Sequence, residues 1–393
     1  MTKRRGAGFS MVELLVALAI GMLAMMFATR VVLNGEQNKQ ASLGGSDAMQ
    51  NGMLAMFSIS ADGNQAGYGL NDPLITGCNT VFSDTSGYTL APVTRSGVTI
   101  RPMSPVIIES NGSAPDRITF YAGSSMTGTG SVGISSYPGL GTINISAIPF
   151  AFNLNDVILV AADTAADGTR CAISQITTNP GALPAPPAQQ FLRIDGTGRF
   201  TSGTLGGATF GNGISRVFNL GPASTLAFHS WSVVGNYLRL QATDLTGSTA
   251  ASTPVIDNVV SLKAQYGFDT RSQAAFDASF VANTGVRVNQ WSATMIDADG
   301  NGTAASHNDF QHIVAIRLAV VARSKSPEKP DSSGNCNTTT VQPKVFSTTE
   351  PTGVTAVPID VDVSVAGETV SWKCYRYRVF ETIVPLRNAG WRR

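Results

Sequence analysis

The chain has 393 residues, 43% of them hydrophobic and only 13% charged, with 40 glycines and 19 prolines. Its length bounds it to two domains at most. Its 27 basic and 26 acidic residues leave a formal net charge of +1, so there is no basic excess of the kind that would make nucleic acid the main partner.

The first element is an apolar helix with an odd charge. The leader Lys3-Arg4-Arg5-Gly6-Ala7-Gly8 runs into Phe9-Ser10-Met11-Val12-Glu13, and Leu14 to Ala28 then carry no charge. Phe9 to Ala28 makes about 30 Å of helix at about 1.5 Å per residue, enough to span a bilayer. A cleaved secretory signal needs a small-x-small site after the apolar core, and Met25-Met26-Phe27-Ala28-Thr29-Arg30 is a poor one. A plain anchor would keep Lys3, Arg4 and Arg5 in the cytoplasm and the body outside it. It leaves Glu13 unexplained, because a carboxylate at the centre of a membrane helix costs roughly 2.5–3.5 kcal/mol and normally has a partner.

This segment resembles the class III signal of type IV prepilins: basic leader, Gly8, Phe9, Glu13, apolar helix. The resemblance implies that prepilin peptidase cuts between Gly8 and Phe9 and methylates the new amino terminus. The leader 1–8 is lost and the apolar run is kept. The mature chain would have 24 basic against 26 acidic residues, a net of −2 before the new amine is counted. Phe9 and Glu13 are four apart and share a helix face. In the family, the glutamate pairs with the terminal amine of a neighbouring subunit in the filament.

The first proline is Pro73, which permits a long helix, since an interior proline would break it. A helix is expected over residues 9–60, with 9–33 crossing the membrane. Gly44-Gly45 is its weak point, at about 1 kcal/mol per glycine, and two helices with a hinge there is the alternative. Met49, Met53, Met56 and Phe57 recur at spacings of three and four, the pattern of an apolar face expected to pack on a globular body.

Residues 61–393 read as a β-rich body, giving an α+β, pilin-like fold. Candidate strands are Arg117 to Ala122, Val157 to Ala161, Cys171 to Thr177, Tyr237 to Ala242, Val259 to Phe268, Ile313 to Ala322 and Tyr375 to Val384, each β-branched or aromatic and flanked by turn formers. The long loops Gly123 to Pro149, Asn179 to Gln190 and Gly196 to Gly213 are expected to be solvent decoration on one domain.

The four cysteines are Cys78, Cys171, Cys336 and Cys374. An even count in an extracytoplasmic chain favours disulfides. Three connectivities are open. Cys78–Cys171 with Cys336–Cys374 is preferred, because the second pair brackets a polar, proline-containing loop beside the last strand. Each bridge would contribute roughly 3–5 kcal/mol through the unfolded state.

Asp297-Ala298-Asp299-Gly300-Asn301-Gly302 matches the first half of a calcium loop, with Asp297, Asp299 and Asn301 as ligands. The second half departs from it: Asn308 stands where the bidentate glutamate belongs, with Asp309 one place late. The same residue types also make an ordinary hairpin turn. Enzyme signals are weak. His229, His307 and His312 fit no His-Glu-x-x-His frame, and no Gly-x-Ser-x-Gly occurs. Gly128 to Gly133 fits G-x-G-x-x-G but leads to Pro138-Gly139 rather than to a helix, so the dinucleotide context is missing. The tail arginines, Arg376 and Arg378 among them, read as a solvated or salt-bridged strand face.

Several body segments resemble one branch of the pilin family, the PilW minor pilins. They are Gln65-Ala66-Gly67-Tyr68-Gly69, Val260-Ser261-Leu262 with Tyr266-Gly267-Phe268-Asp269-Thr270, Ile316-Arg317-Leu318 with Arg323-Ser324, and the tail Tyr377 to Asn388. Asn64 stands where the branch commonly has an arginine, so a charge contact at the helix end is expected to be missing. The resemblance implies a non-enzymatic minor pilin without a required cofactor, held in the inner membrane before assembly and in the pilus afterwards. Its partners would be prepilin peptidase, the other minor pilins, the major pilin and a large tip adhesin. A type II secretion pseudopilin is the nearer rival. A membrane-tethered adhesin or enzyme is the more distant one.

Overall fold

The computed structural model describes residues 10–125, 130–139, 141–149, 152–180, 190–208, 210–211, 213–282, 284–331 and 333–390. One helix, Met11–Gln65, runs without interruption for 55 residues, about 80 Å at about 1.5 Å per residue. Ser10 caps it, its hydroxyl accepting the Val12 N–H at 3.3 Å. Gly44-Gly45 does not break it, and it continues past Ser60 to Gln65.

Everything after the helix is built on three larger sheets. The first has four antiparallel strands in the order Gln290–Ser292, Val259–Phe268, Ile313–Arg323, Tyr377–Pro385. The C-terminal half of the long helix crosses its last two strands. The two middle strands are buried at every position, because both faces are covered. Alternate residues face opposite ways along a strand. Ile316, Leu318 and Val320 join Ala55 and Ile59 of the helix in the main core. Ala319 and Val321 meet Val345, Phe346, Val361 and Val363 on the other side.

The second sheet has five antiparallel strands in the order Thr253–Asp257, Tyr237–Ala242, Ala227–Val234, Arg117–Ala122, Val106–Glu109. It contributes Ile107, Phe120, Phe228 and Trp231 to the main core.

The third sheet has seven strands in the order Asn79–Val81, Arg170–Gln175, Asp156–Ala162, Ser215–Pro222, Ser131–Ser136, Thr142–Ile145, Phe191–Arg193. Only its first pair is parallel. Leu159 and Phe218 point into the main core. Ile158, Val160 and Val217 face a separate core with Ile134, Ile143, Leu192 and Phe210.

This sheet overturns the expectation of loops as solvent decoration. Gly123 to Pro149 holds two paired strands, and Gly196 to Gly213 buries Phe200, Leu205 and Phe210. Each of these stretches offers only an occasional isoleucine or phenylalanine among Gly, Ser and Thr, too sparse for a periodic signal. Burial comes from stacking against strands distant in sequence. The four cysteines pair as Cys78–Cys171 and Cys336–Cys374. The first bridge joins the start of this sheet to its neighbouring strand, and the second closes the excursion over the outer face of the four-stranded sheet.

Candidate functional site

Glu13 lies in the first turn of the long helix, where the unpaired N–H groups and the helix dipole favour a negative charge. Its side chain is exposed, with no partner among the described residues. Gly8 and Phe9, the expected cut, lie outside the described residues. From Met11 to Leu33 the helix is long and apolar enough to cross a membrane, and every residue of that stretch is exposed.

The packed face of the helix differs in part from the one expected: Met56 is half-buried and packs against the main core, but its three companions do not. Met49 is 52% exposed, Met53 51% and Phe57 72%. The buried positions are instead mostly small: Gly44, Ala48, Gly52, Ala55 and Gly63, with Ile59 the one large side chain among them, again at spacings of three and four. A Cβ on Gly52 would collide with the Phe380 ring, and one on Gly44 would meet the Ser324 Cβ at 3.0 Å. One on Gly63 would meet Val384 at 3.1 Å. At Gly44, Gly52 and Gly63 the helix therefore lies directly on its sheet, with little room for a side chain between. Gly44 is a seat for the strand end, which is why the helix continues through it. Met49, Met53, Leu54 and Phe57 are turned away from the body.

The end of the helix is fastened at three points. Asn388 donates from Nδ2 to the carbonyls of Gln65 at 3.1 Å and Ala66 at 3.2 Å, occupying acceptors that a helix end leaves unpaired. Gly67, at φ +80°, turns the chain off the helix, and its N–H donates to the Tyr121 carbonyl. Asp62 reaches the five-stranded sheet, where its Oδ2 accepts from Trp231 Nε1 at 2.6 Å and faces His229 Nδ1 at 2.9 Å. The other ring nitrogen of His229 faces Asp244 at 2.8 Å. Burial alone would lower the pKa of His229. The carboxylates of Asp244 and Asp62 more than reverse this and raise it to about 10. The imidazolium in turn holds Asp244 below the ordinary carboxylate range against its own burial. The Asn64 side chain makes a local bond to the Ser60 carbonyl, while its own carbonyl accepts from Asn388, so this clamp and the Asn388 cap tie down the helix end.

The segments singled out as branch motifs turn out to be the parts of this seat. Arg317 donates to Thr348 and pairs with Glu381 of the tail at 3.3 Å, lying over the Phe346 ring. Arg323 pairs with Glu368, and Arg376 with Glu328. Together they bind the excursion 325–374 to the sheet. The Tyr266 hydroxyl accepts the Ile108 N–H across to the five-stranded sheet, and Asp269 holds Arg271 and the Arg287 N–H.

The calcium-like loop closes on itself. Asp297, Asp299 and Asp309 bring carboxylate oxygens within 4.8 Å of one another. Asp309, not Asn308, enters this group. Asn308 lies 3.4 Å from Gln311 instead. Asp309 is fully buried and accepts from the N–H groups of Ala298, Asp299 and Ser306. Burial pushes its carboxyl up to about 6. Asn301 braces Asp299 and accepts the Thr303 N–H. His307 and His312 serve as links, to the Pro73 and Asp269 carbonyls respectively. Gly128 and Thr129 lie outside the described residues, and the tract continues into a strand, Ser131–Ser136, rather than a helix.

An apolar N-terminal helix seated on a β-rich body is the build of a pilin-like subunit. Comparison with family models gives two matches at the two ends of the chain. Residues 3–29 match the prokaryotic N-terminal methylation motif, which implies processing by prepilin peptidase, anchoring in the inner membrane and interaction with other pilins. Residues 232–388 match type IV pilus-assembly protein W. Over those residues the chain is similar to the PilW family of type IV pilus minor pilins. No curated protein and no solved structure matches it.

Proposed function

We propose that this minor pilin primes pilus assembly within a small complex of minor pilins at the tip, in a structural rather than catalytic role. The observation that carries this reading is the long helix. It presents apolar side chains from Met11 to Leu33 and again at Met49, Met53 and Phe57, with the Glu13 carboxylate at its start. Such a surface is costly in water over this length, and a bundle of like helices would cover it. Cleavage after Gly8 would free the amine of Phe9, and Glu13 would be matched to such an amine on a neighbouring subunit. The charge then gains the partner that a membrane carboxylate needs.

Before assembly the amino terminus would lie in the cytoplasm and the body in the periplasm, a compartment in which the two disulfides form and persist. The other minor pilins, the major pilin and a large tip adhesin are the partners this role requires.

Affinity purification of the tagged full-length chain from detergent-solubilised membranes tests the reading. Recovery of other minor pilins, together with loss of surface pili on deletion, is expected. Recovery of type II secretion pseudopilins instead would overturn it.

A further inference from the structure

We propose that Asp297, Asp299, Asp309 and the hydroxyl of Ser306 form a calcium site. The site is independent of the assembly role. Calcium takes oxygen ligands at about 2.3–2.6 Å, so two ligands on opposite sides of one ion stand about 4.6–5.2 Å apart. The three carboxylates offer oxygens no more than 4.8 Å from one another, which a single central ion spans. No cysteine or histidine joins the group among the described residues, and an all-oxygen set suits calcium rather than zinc.

The charges also want a cation. None of the three carboxylates makes an ion pair among the described residues. The guanidinium of Arg95 is committed to the carbonyls of Ala305 and Gly77 and to Asp167. Three like charges at this spacing repel one another.

Ser306 points to the same ligand independently. It is 1% exposed, and its N–H holds Asp309 Oδ2 at 2.7 Å. Its hydroxyl lies against the Asp309 carboxylate without a hydrogen bond of normal geometry to any group. A buried hydroxyl in that state needs a partner, and an ion between the carboxylates, or a water on that ion, supplies one. Asn301, the ligand expected from the sequence pattern, instead holds Asp299 in place.

The bound ion would stiffen a junction. The loop that carries Asp297 to Asp309 contacts the rest of the body through His307, whose N–H donates to Asp167 at 2.6 Å and whose Nε2 lies 2.8 Å from the Pro73 carbonyl. Arg95 bridges Asp167 and the Ala305 carbonyl. Calcium would thus fix the PilW-matched region against the segments at the edge of the seven-stranded sheet.

Calorimetric titration of the chelator-stripped full-length protein in detergent, with calcium chloride and separately with magnesium chloride, tests this. One calcium per chain is expected, at ~0.1–1 mM as in other extracellular modules, with a rise in thermal midpoint that magnesium does not reproduce. Asp299→Asn, at a half-buried position of the group, should fold as wild type without metal and bind calcium at least tenfold more weakly. Asp297→Asn provides a second variant outside the buried position, so the test does not depend on replacing Asp309. No calcium heat and no midpoint shift at ~5 mM metal, equal affinity for magnesium, or undiminished binding by both variants would overturn the site.

Discussion

His229 sits between two carboxylates that come from different elements, Asp62 on the long helix and Asp244 after the strand Tyr237–Ala242. Its folded pKa, about 10, lies above the unfolded value near 6.5. The stability it contributes is therefore fully present below about pH 6.5 and is lost as pH rises toward 10. Urea unfolding of the detergent-solubilised chain at pH 6.5 and 9.5 should show that loss. His229→Gln leaves Asp62 and Asp244 without their cation. It should cost about 1–3 kcal/mol at pH 6.5, allowing for partial exposure, and flatten the dependence on pH. A variant as pH-sensitive as wild type would rule the clamp out as its source. At the other end of the helix, Glu13→Ala should still be cut after Gly8 but enter filaments poorly, as measured by its share in sheared pili. Normal incorporation would remove Glu13 from the assembly mechanism. The glutamate is conspicuous in the sequence because a charge in an apolar run stands out. The histidine clamp is not, because its three members lie far apart in the chain.

The long helix shows how an element can be legible while its orientation is not. The absence of proline before Pro73 and the apolar run mark the helix. The spacing of Met49, Met53 and Phe57 points to the wrong buried face, because large apolar side chains are the usual material of a core and here they face outward. The sheet comes so close along Gly44 to Ala55 that this part of the seat takes small side chains, and the signal that locates it is the series Gly44, Ala48, Gly52, Ala55. Gly52→Ala should gain up to about 1 kcal/mol in helix propensity. It should lose about 1–3 kcal/mol to overpacking against Phe380, for a net destabilisation measured by thermal unfolding. Shortening the opposing side chain in Gly52→Ala/Phe380→Leu should recover part of the loss. If Gly52→Ala alone stabilises the protein, the close approach of helix and tail strand is wrong.

Across the whole chain, three sheets share one main core, and the seven-stranded sheet and the excursion 325–374 add cores of their own. Among its described residues the excursion holds two two-residue strands, Lys344–Val345 and Ile359–Asp360, and a short 3-10 turn, Trp372–Cys374, so its order depends on its attachments. The Cys336–Cys374 bridge closes a separation of 38 residues, worth roughly 4 kcal/mol in the chain-entropy account. Cys336→Ala/Cys374→Ala should lower stability by up to that amount and speed hydrogen exchange across the excursion first, leaving the helix seat protected. Uniform exchange across the body would show that the bridge acts globally.

The membrane helix, its charge at Glu13, the β-rich character of the body and the PilW resemblance can all be read from the order of residues alone, because they are written in runs of neighbours with strong local preferences. The buried face of the helix, the seven-stranded sheet, the His229 clamp and the entry of Asp309 beside Asp297 and Asp299 emerge only from the folded chain. The sheet and the clamp depend on residues remote in the chain that meet only when strands pair; the helix face and the Asp309 contact carry a local trace, a Gly/Ala series and a nearby aspartate, whose meaning only the packing decides.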